Sequence, residues 1–160
     1  MLDNINKLCT PAHRHYRLIH DIYVLLDAGD RNILRQFDLT SSQYRVLVLL
    51  DPIQGERLMT LSDWMLCARS TVTRLIDQME AANLVCRVGD PEDRRAQRVA
   101  LTPQGVALRD KVYEAHENSL LTRFGNLTKA EQELLISLLE KVRSNLHLTL
   151  GESEEVLDSE

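Results

Sequence analysis

Cysteine, proline and glycine are all scarce in this chain, and each scarcity argues against a class of protein. Its three cysteines are odd in number and lack paired Cys-x-x-Cys spacing, which argues against a disulfide framework and a structural zinc site. Four prolines and six glycines leave room for long helices. The longest aliphatic run, Val46–Leu50, is too short to span a bilayer, and the N-terminal MLDNINK lacks the apolar core of a signal peptide. We therefore expect a cytoplasmic, mostly helical protein without a membrane partner.

The motifs of common enzyme classes are also missing. The chain contains no phosphate-binding glycine loop, no His-Glu-x-x-His and no Gly-x-Ser-x-Gly. Its His, Cys, Asp and Glu residues form no set of three or four with the spacing of metal ligands. We therefore expect neither catalytic residues nor a bound metal or cofactor.

A net positive charge, which nucleic-acid-binding proteins usually carry, is missing as well. The chain has 24 acidic and 19 basic residues, a formal net charge of −5. Five of the acids lie in GESEEVLDSE at 151–160, which we expect to be a disordered tail. Without that tail the charges balance, and local fields rather than net charge steer binding. Six arginines are concentrated between 69 and 98: Arg69, Arg74, Arg87, Arg94, Arg95 and Arg98.

Helix start and stop signals divide the chain into segments. Thr10 followed by Pro11 predicts a first helix that runs to about Phe37. Capping boxes predict three further helix starts, and a Thr-Pro pair predicts another. The capping boxes are Thr40 with Gln43, Thr60 with Asp63, and Thr128 with Glu131, and the Thr-Pro pair is Thr102 with Pro103.

The segment between 60 and 105 has the pattern of a helix-turn-helix followed by a hairpin. A short helix is predicted to end near Cys67, and Ser70 is expected to cap the next helix. Within that helix, four apolar residues recur at helical spacing, namely Val72, Leu75, Ile76 and Met79, whereas the hydroxyls, the arginines and Gln78 fall elsewhere on its surface. Two short strand-like runs then flank a charged turn. A helix that exposes hydroxyls and arginines, followed by an arginine-tipped hairpin, suits the major groove and backbone of a DNA duplex.

The stretch from Ser70 to Gly105 resembles the winged helix-turn-helix of the MarR family of bacterial transcription regulators. Asn83 stands where the family often has glycine, a position that asparagine also accommodates because it enters the left-handed conformation at helix ends. The coarser helical pattern extends the resemblance over about residues 10–148. The resemblance rests on several short motifs that occur together and in order: Thr73 with Arg74, Leu84, DPEDRR at 90–95 and VALTPQG at 99–105.

The resemblance implies a single domain over 1–150. A winged helix-turn-helix lobe would occupy about 40–102, and dimerisation helices would occupy about 10–37 and 103–149. We expect the DNA contacts to come from the recognition helix and the wing. Arg95 would enter or border the minor groove, with Asp93 holding its guanidinium and Arg94 nearer phosphate. The contact residues expected on the recognition helix are Arg69, Ser70, Thr71, Thr73 and Arg74.

A wide apolar stripe marks the last predicted helix. Such a stripe at a chain end is explained either by packing inside the subunit or by burial against a second copy, and we expect the second. The stripe consists of Leu134, Leu135, Leu138, Leu139, Val142, Leu146 and Leu150. A two-fold dimer would present two recognition helices to an inverted-repeat operator.

A row of polar aromatic side chains marks one face of the first predicted helix. The row is His13, Tyr16, His20 and Tyr23, which follow 3, 4, 3 spacing. The resemblance implies a small phenolic or aromatic-anion effector that releases a repressor, and this row is a candidate ligand site. Packing of the same rings at a half-buried boundary is the alternative.

Two other functions stay open at this point. Cys9 lies just before a predicted helix N-terminus, where the dipole lowers a thiol pKa, so a redox-sensing regulator is one alternative. The other is a winged-helix module that binds proteins and not DNA. Titration of a duplex separates this module from a DNA-binding regulator, because only the regulator should bind DNA with a steep dependence on salt.

Overall fold

The computed structural model describes residues 10–93 and 96–157, which form six α-helices and a small sheet. A 3₁₀ turn, Arg35–Phe37, extends the first helix. The mostly helical fold with a hairpin wing that the sequence predicts is confirmed. In chain order the elements are α1 Pro11–Leu34, α2 Ser41–Leu49, β1 Glu56–Arg57, α3 Leu58–Met65, α4 Arg69–Ala81, β2 Val85–Gly89, β3 Gln97–Leu101, α5 Pro103–Phe124 and α6 Lys129–Leu157.

The chain divides into two compact units inside α5. The first unit ends at His116 and the second begins at Glu117. The single domain over 1–150 that the sequence predicts stays a prediction. Among the residues whose burial is described, only those of the first unit form a buried apolar core. On α6 no side chain between 129 and 149 is buried, and Leu135 alone is half-buried. The second unit is therefore a separate pair of helical segments without a core of its own.

Four of the predicted helix starts are confirmed. Thr10 caps α1 by accepting a hydrogen bond from the His13 backbone, and the capping box of Thr40 with Gln43 starts α2. Thr128 and Glu131 form a second reciprocal box before α6. Thr102 accepts from the Gly105 N–H at 3.0 Å and so caps α5. These polar groups satisfy N–H donors that the first helical turn leaves unpaired.

Two predicted caps are wrong. Helix α3 begins at Leu58, directly after strand β1, so Thr60 lies inside its first turn. The sequence did not predict β1. Because Arg57 of β1 pairs with Arg98 of β3, the backbone is extended up to Arg57 and α3 begins at the next residue. Helix α4 is capped by Ala68, whose carbonyl accepts from the Thr71 N–H at 2.9 Å, so Ser70 is helical. Leu66 in the left-handed conformation, with φ 51°, sets that tighter turn.

The C-terminal tail also differs from expectation. Helix α6 continues through Gly151 to Leu157, although the sequence predicts disorder from residue 151. One glycine costs a helix only about 1 kcal/mol relative to alanine, and the glutamates around it are good helix formers. Residues 158–160 lie outside the described part of the chain.

The core of the first unit lies between the helix-turn-helix and the sheet. Strand β3 is central in a three-stranded antiparallel sheet of order β1–β3–β2, with Val85 opposite Leu101 and Gly89 opposite Gln97. The inward side chains of this sheet, Val85 and Val99, are fully buried. They pack with helical core residues, namely Leu34, Val46, Leu47, Leu61, Val72, Ile76, Met79 and Val112.

A buried carboxylate holds the base of the wing. The Asp90 side chain is fully buried and accepts from the Nε of Arg57 at 2.6 Å and the Nε of Arg98 at 3.0 Å. Its other oxygen accepts from the backbone N–H groups of Glu92 and Asp93. The hydrogen bond from Arg57 is the largest cause that holds the pKa of Asp90 well below its ordinary range. Asp90 therefore ties β1, β3 and the wing turn together.

A close backbone approach joins the start of α5 to the end of α4. Asn83, with φ 57°, ends α4 in the left-handed conformation predicted for it. The Leu84 carbonyl then accepts from the Thr102 N–H at 3.1 Å. A Cβ built on Gly105 would lie 1.9 Å from that carbonyl oxygen. Only glycine therefore allows α5 to begin at this distance from the helix-turn-helix.

We expect Gly105→Ala to destabilise the protein. The added methyl collides with backbone, so the helix must shift, and such overpacking costs about 1 to 3 kcal/mol of unfolding free energy. Gly89→Ala is the matched control, because a Cβ there meets nothing within 4 Å. Urea denaturation of both variants measures the difference. Equal midpoints would show that the approach at Gly105 is not a constraint.

Candidate nucleic-acid interface

Helix α4 has one buried and one exposed side. Val72, Ile76 and Met79 have no exposed surface, because their helical spacing turns all three into the core. This burial turns the opposite side of the helix to solvent. We call that side the groove face, and it consists of five exposed residues: Ser70, Thr71, Arg74, Asp77 and Gln78.

The predicted contact residues of the recognition helix divide into two groups. Arg69, the first residue of α4, is exposed, as are Ser70, Thr71 and Arg74. Neither arginine forms an ion pair with another described residue. Thr73 is half-buried, and its hydroxyl donates to the Arg69 carbonyl at 2.9 Å. The Thr73 hydroxyl is therefore engaged within the helix, whereas the other four side chains reach solvent.

The wing is a hairpin of β2 and β3 closed by a turn at its tip. Asp93 is exposed in that turn, and its carbonyl accepts from the Ala96 N–H at 2.9 Å. Arg94 and Arg95 lie outside the described residues. Their predicted contacts with phosphate and the minor groove, and the clamp between Asp93 and Arg95, stay predictions.

Two arginines of the expected basic cluster are paired with acids of this chain. Arg98 donates to the buried Asp90 carboxylate, as described above. Arg87 on β2 donates to Asp77 at 2.5 Å and also to Glu80, both on α4. The hydrogen bond to Asp77 is the largest cause that raises the pKa of Arg87 above its ordinary value. Among the described arginines of the cluster, Arg69 and Arg74 thus supply the positive charge that is not paired within the fold.

Three further polar residues lie near this surface, none of them among the predicted DNA-contact residues. Gln78 follows Arg74 by one turn on the groove face, on the exposed side that helical periodicity predicts for it. Arg57 is placed by β1, a two-residue strand too short to give a sequence signal. Arg45 on α2 donates to the Trp64 carbonyl at 2.5 Å, a contact between helices that no local pattern reveals.

A cleft of about 580 Å³ lies beside the groove face. Tyr23 of α1 and Arg45 of α2 line one part of it, and Thr71, Arg74 and Gln78 of α4 line another. Hydroxyl groups from the N-terminus of α2 also line the cleft, on Thr40, Ser41 and Ser42. The N-terminus of a helix, two guanidinium groups and several hydroxyls make this cleft suited to an anion.

The four residues of the predicted aromatic row have different contacts in the structure. Tyr23 lines the cleft, whereas the rings of Tyr16 and His20 stack on each other at 6.1 Å. The His13 ring lies 2.9 Å from the Thr10 hydroxyl at the cap of α1. Of the four residues, only Tyr23 is among the cleft's lining residues.

A second polar cluster consists of Asp30, Tyr44 and His116. The rings of Tyr44 and His116 lie 5.2 Å apart, and the His116 Nε2 is 3.2 Å from the Asp30 carboxylate. Burial is the largest cause that raises the pKa of Tyr44. This cluster joins α1, α2 and α5 in the first unit.

Other chemistry receives little support in the described residues. No group of three His, Cys, Asp or Glu there is placed to hold a metal ion. Cys67 and Cys86 are half-buried free thiols, and Cys9 lies outside the described range. None of the helices between residues 10 and 157 is long and apolar enough to cross a membrane.

Comparisons with known proteins give one family. The sequence model of the MarR family matches residues 39–96. The chain is 31% identical over 128 residues to YsmB of Bacillus subtilis (strain 168), an uncharacterized HTH-type transcriptional regulator, and the match spans 80% of this chain and 88% of YsmB. The relatives are regulators and not enzymes.

Solved structures match the fold as well. A mutant MarR from E. coli, crystallised in complex with operator DNA, has a TM-score of 0.70 at 28% identity, over 79% of this chain and 91% of that one. BpsR of Bordetella bronchiseptica, whose DNA binding is regulated by 6-hydroxynicotinic acid, has a TM-score of 0.73 at 27% identity, over 84% and 96%.

The sequence relatives and the fold neighbours agree with the geometry of α4 and the wing. The resemblance noted in the sequence is therefore confirmed, and this chain belongs to the MarR family of winged helix-turn-helix, DNA-binding transcription regulators.

Proposed function

We propose that the protein is a homodimeric repressor that binds an inverted-repeat operator and is released by a small aromatic anion. The observation that carries the DNA-binding part is the groove face, which places Arg74 at the centre of the exposed side of α4. A guanidinium in the major groove makes paired hydrogen bonds to the O6 and N7 of guanine. Hydroxyls such as those of Ser70 and Thr71 bind phosphates.

Operator geometry follows from two-fold symmetry. Two copies of α4 would meet successive major grooves on one side of the duplex, with half-site centres roughly 10 base pairs apart. The E. coli MarR mutant crystallised with operator DNA supports this proposal by fold and sequence likeness. A DNA-binding function also favours the cytoplasmic location expected from the sequence, which stays a prediction.

Arg74→Ala should weaken operator binding strongly while leaving the fold intact. Loss of a guanidinium that reads a base costs on the order of 1 to 3 kcal/mol of binding free energy. Arg31→Ala is the control, because Arg31 is an exposed arginine on α1 that pairs with Asp27 of its own helix. Mobility-shift titration with a duplex from the upstream region of the gene measures both. Unchanged affinity of Arg74→Ala would remove the groove face from the mechanism.

The dimer is supported by an uncovered apolar stripe on α6. Five of its residues are at least 42% exposed in the single chain: Leu134, Leu138, Leu139, Val142 and Leu146. Contiguous apolar surface of this kind marks a protein interface. Within the second unit, an apolar groove of about 350 Å³ lies between α5 and α6, and Leu135 and Leu139 of the stripe line it. A second copy is the partner that two-fold symmetry favours.

Val142→Glu should convert the dimer to monomer. The new carboxylate would be buried without a partner at the subunit contact, and such an ion is strongly destabilising. Ser144→Glu introduces the same charge on the opposite side of α6 and should leave the dimer intact. Sedimentation velocity separates the two cases. A stable Val142→Glu dimer would sink the assignment of this stripe to the interface.

The ligand response is supported by the cleft beside the groove face. A bound anion there would engage Arg45 and Arg74 and stack near Tyr23, so the ligand and the DNA would share Arg74. A ligand that binds better in the DNA-free state shifts the population away from the operator. The regulation of BpsR by an aromatic carboxylic acid supports the same chemistry in a relative.

Salicylate, as a probe, should weaken operator binding by the parent protein. Tyr23→Ala should blunt that response, because Tyr23 lines the cleft. Tyr16→Ala is the matched control, since Tyr16 lies on the same helix but stacks on His20. Anisotropy titration with and without millimolar salicylate measures the responses. If both variants respond like the parent, the cleft is not the ligand site and the aromatic row reverts to packing.

The redox alternative through Cys9 rests on a residue outside the described part of the chain and gains no structural support. The protein-binding alternative is disfavoured by membership of a DNA-binding family.

A further inference from the structure

Two carboxylates lie where the DNA backbone would approach α4. Asp77 belongs to the groove face, and 58% of its side chain is exposed. Glu80 follows within one turn, and 38% of its side chain is exposed. Carboxylates and phosphates repel each other, so unpaired charges at these positions oppose DNA binding.

Arg87 on β2 pairs with both carboxylates and compensates one of their two negative charges. Its Nη2 donates to Asp77 Oδ1 at 2.5 Å and its Nη1 donates to Glu80 Oε2. Its backbone N–H donates to the other Glu80 oxygen at 3.2 Å. Only 23% of the Arg87 side chain is exposed, so the guanidinium is turned toward α4 and its acids. The positive charge of Arg87 is therefore paired with acids of this chain and is not available to bind a phosphate.

We propose that Arg87 is a positioning residue for DNA binding that masks the Asp77 and Glu80 carboxylates and does not itself contact DNA. This inference rests on the proposed insertion of the groove face into the major groove. The sequence places Arg87 among six arginines whose local field would steer binding, and its ion pairs with Asp77 and Glu80 assign it a different role. The three charges form a local unit of −1, and removal of Arg87 changes that unit to −2.

Three roles for Arg87 differ in what happens when the acids are neutralised. If Arg87 masks charge, Asp77→Asn/Glu80→Gln loses two repulsive charges and binds DNA more tightly than the parent. If Arg87 contacts phosphate, replacing Asp77 and Glu80 by their amides cannot restore the DNA affinity that is lost with Arg87. If Arg87 only braces the fold, weakening its ion pairs lowers or preserves affinity but does not raise it.

The experiment measures operator affinity by fluorescence anisotropy at one fixed salt concentration for the parent and three variants. Arg87→Met should bind about tenfold more weakly, the size expected when a unit charge facing phosphates loses its compensation near a protein surface. Asp77→Asn/Glu80→Gln should bind several-fold more tightly. The triple variant, which combines all three changes, should bind at least as well as the parent.

The proposal is overturned if the triple variant remains as weak as Arg87→Met, or if Asp77→Asn/Glu80→Gln binds no better than the parent. The Asp77→Asn/Glu80→Gln variant still tests the proposal if Arg87→Met fails to fold. This variant retains Arg87 and replaces each carboxylate by an amide of nearly the same shape that still accepts a hydrogen bond. Thermal melting of each variant checks the fold. Arg31→Met, which breaks an ion pair on α1, controls for the loss of any arginine.

Failure of the underlying function has a different signature. If Arg74→Ala binds the operator like the parent, the groove face does not enter DNA. If Arg74→Ala weakens binding and the acid variants behave as the overturning case describes, the groove face stands and the masking role of Arg87 falls.

Discussion

Burial of Val72, Ile76 and Met79 is the constraint on which the rest of this structure depends. These three side chains fix the rotation of α4 against the core, and the same rotation turns Arg74 and its neighbours outward. A polar substitution in the buried stripe would therefore disturb both folding and recognition, because one helix serves both. The hydrophobic effect thus sets the orientation of a polar surface.

Polar contacts fix the position of the wing, whereas apolar contacts fix the position of α4. The buried Asp90 carboxylate gathers donors from β1, β3 and the turn, and Arg87 links β2 to α4. At the other end of the hairpin, Gly105 lets α5 approach the Leu84 carbonyl. Helix α4 and the wing are therefore held as one piece, which fixes the relative geometry of the two elements that we propose contact DNA.

Local signals predicted much of this architecture, and long-range pairing explains the errors. The caps at Thr10, Thr40, Thr102 and Thr128 were predictable because each capping hydrogen bond joins two residues three positions apart in the sequence. The start of α3 was not, because it depends on β1 pairing with a strand forty residues later in the chain.

The site shows the same division. Periodicity predicted the outward position of Arg74, whereas the pairing of Arg87 with Asp77 depends on a contact between a strand and a helix. The cleft was likewise beyond prediction, because Tyr23, Arg45 and Arg74 come together only through tertiary packing. Dimethyl sulfate footprinting of the upstream duplex is the most direct test of DNA reading by α4, because the reagent methylates guanine N7 in the major groove and adenine N3 in the minor groove. A dimer that places one α4 in each of two successive major grooves should protect two clusters of guanines with centres roughly 10 base pairs apart. A single cluster of guanines, or protection of adenines alone, would show that α4 does not read the operator in this way.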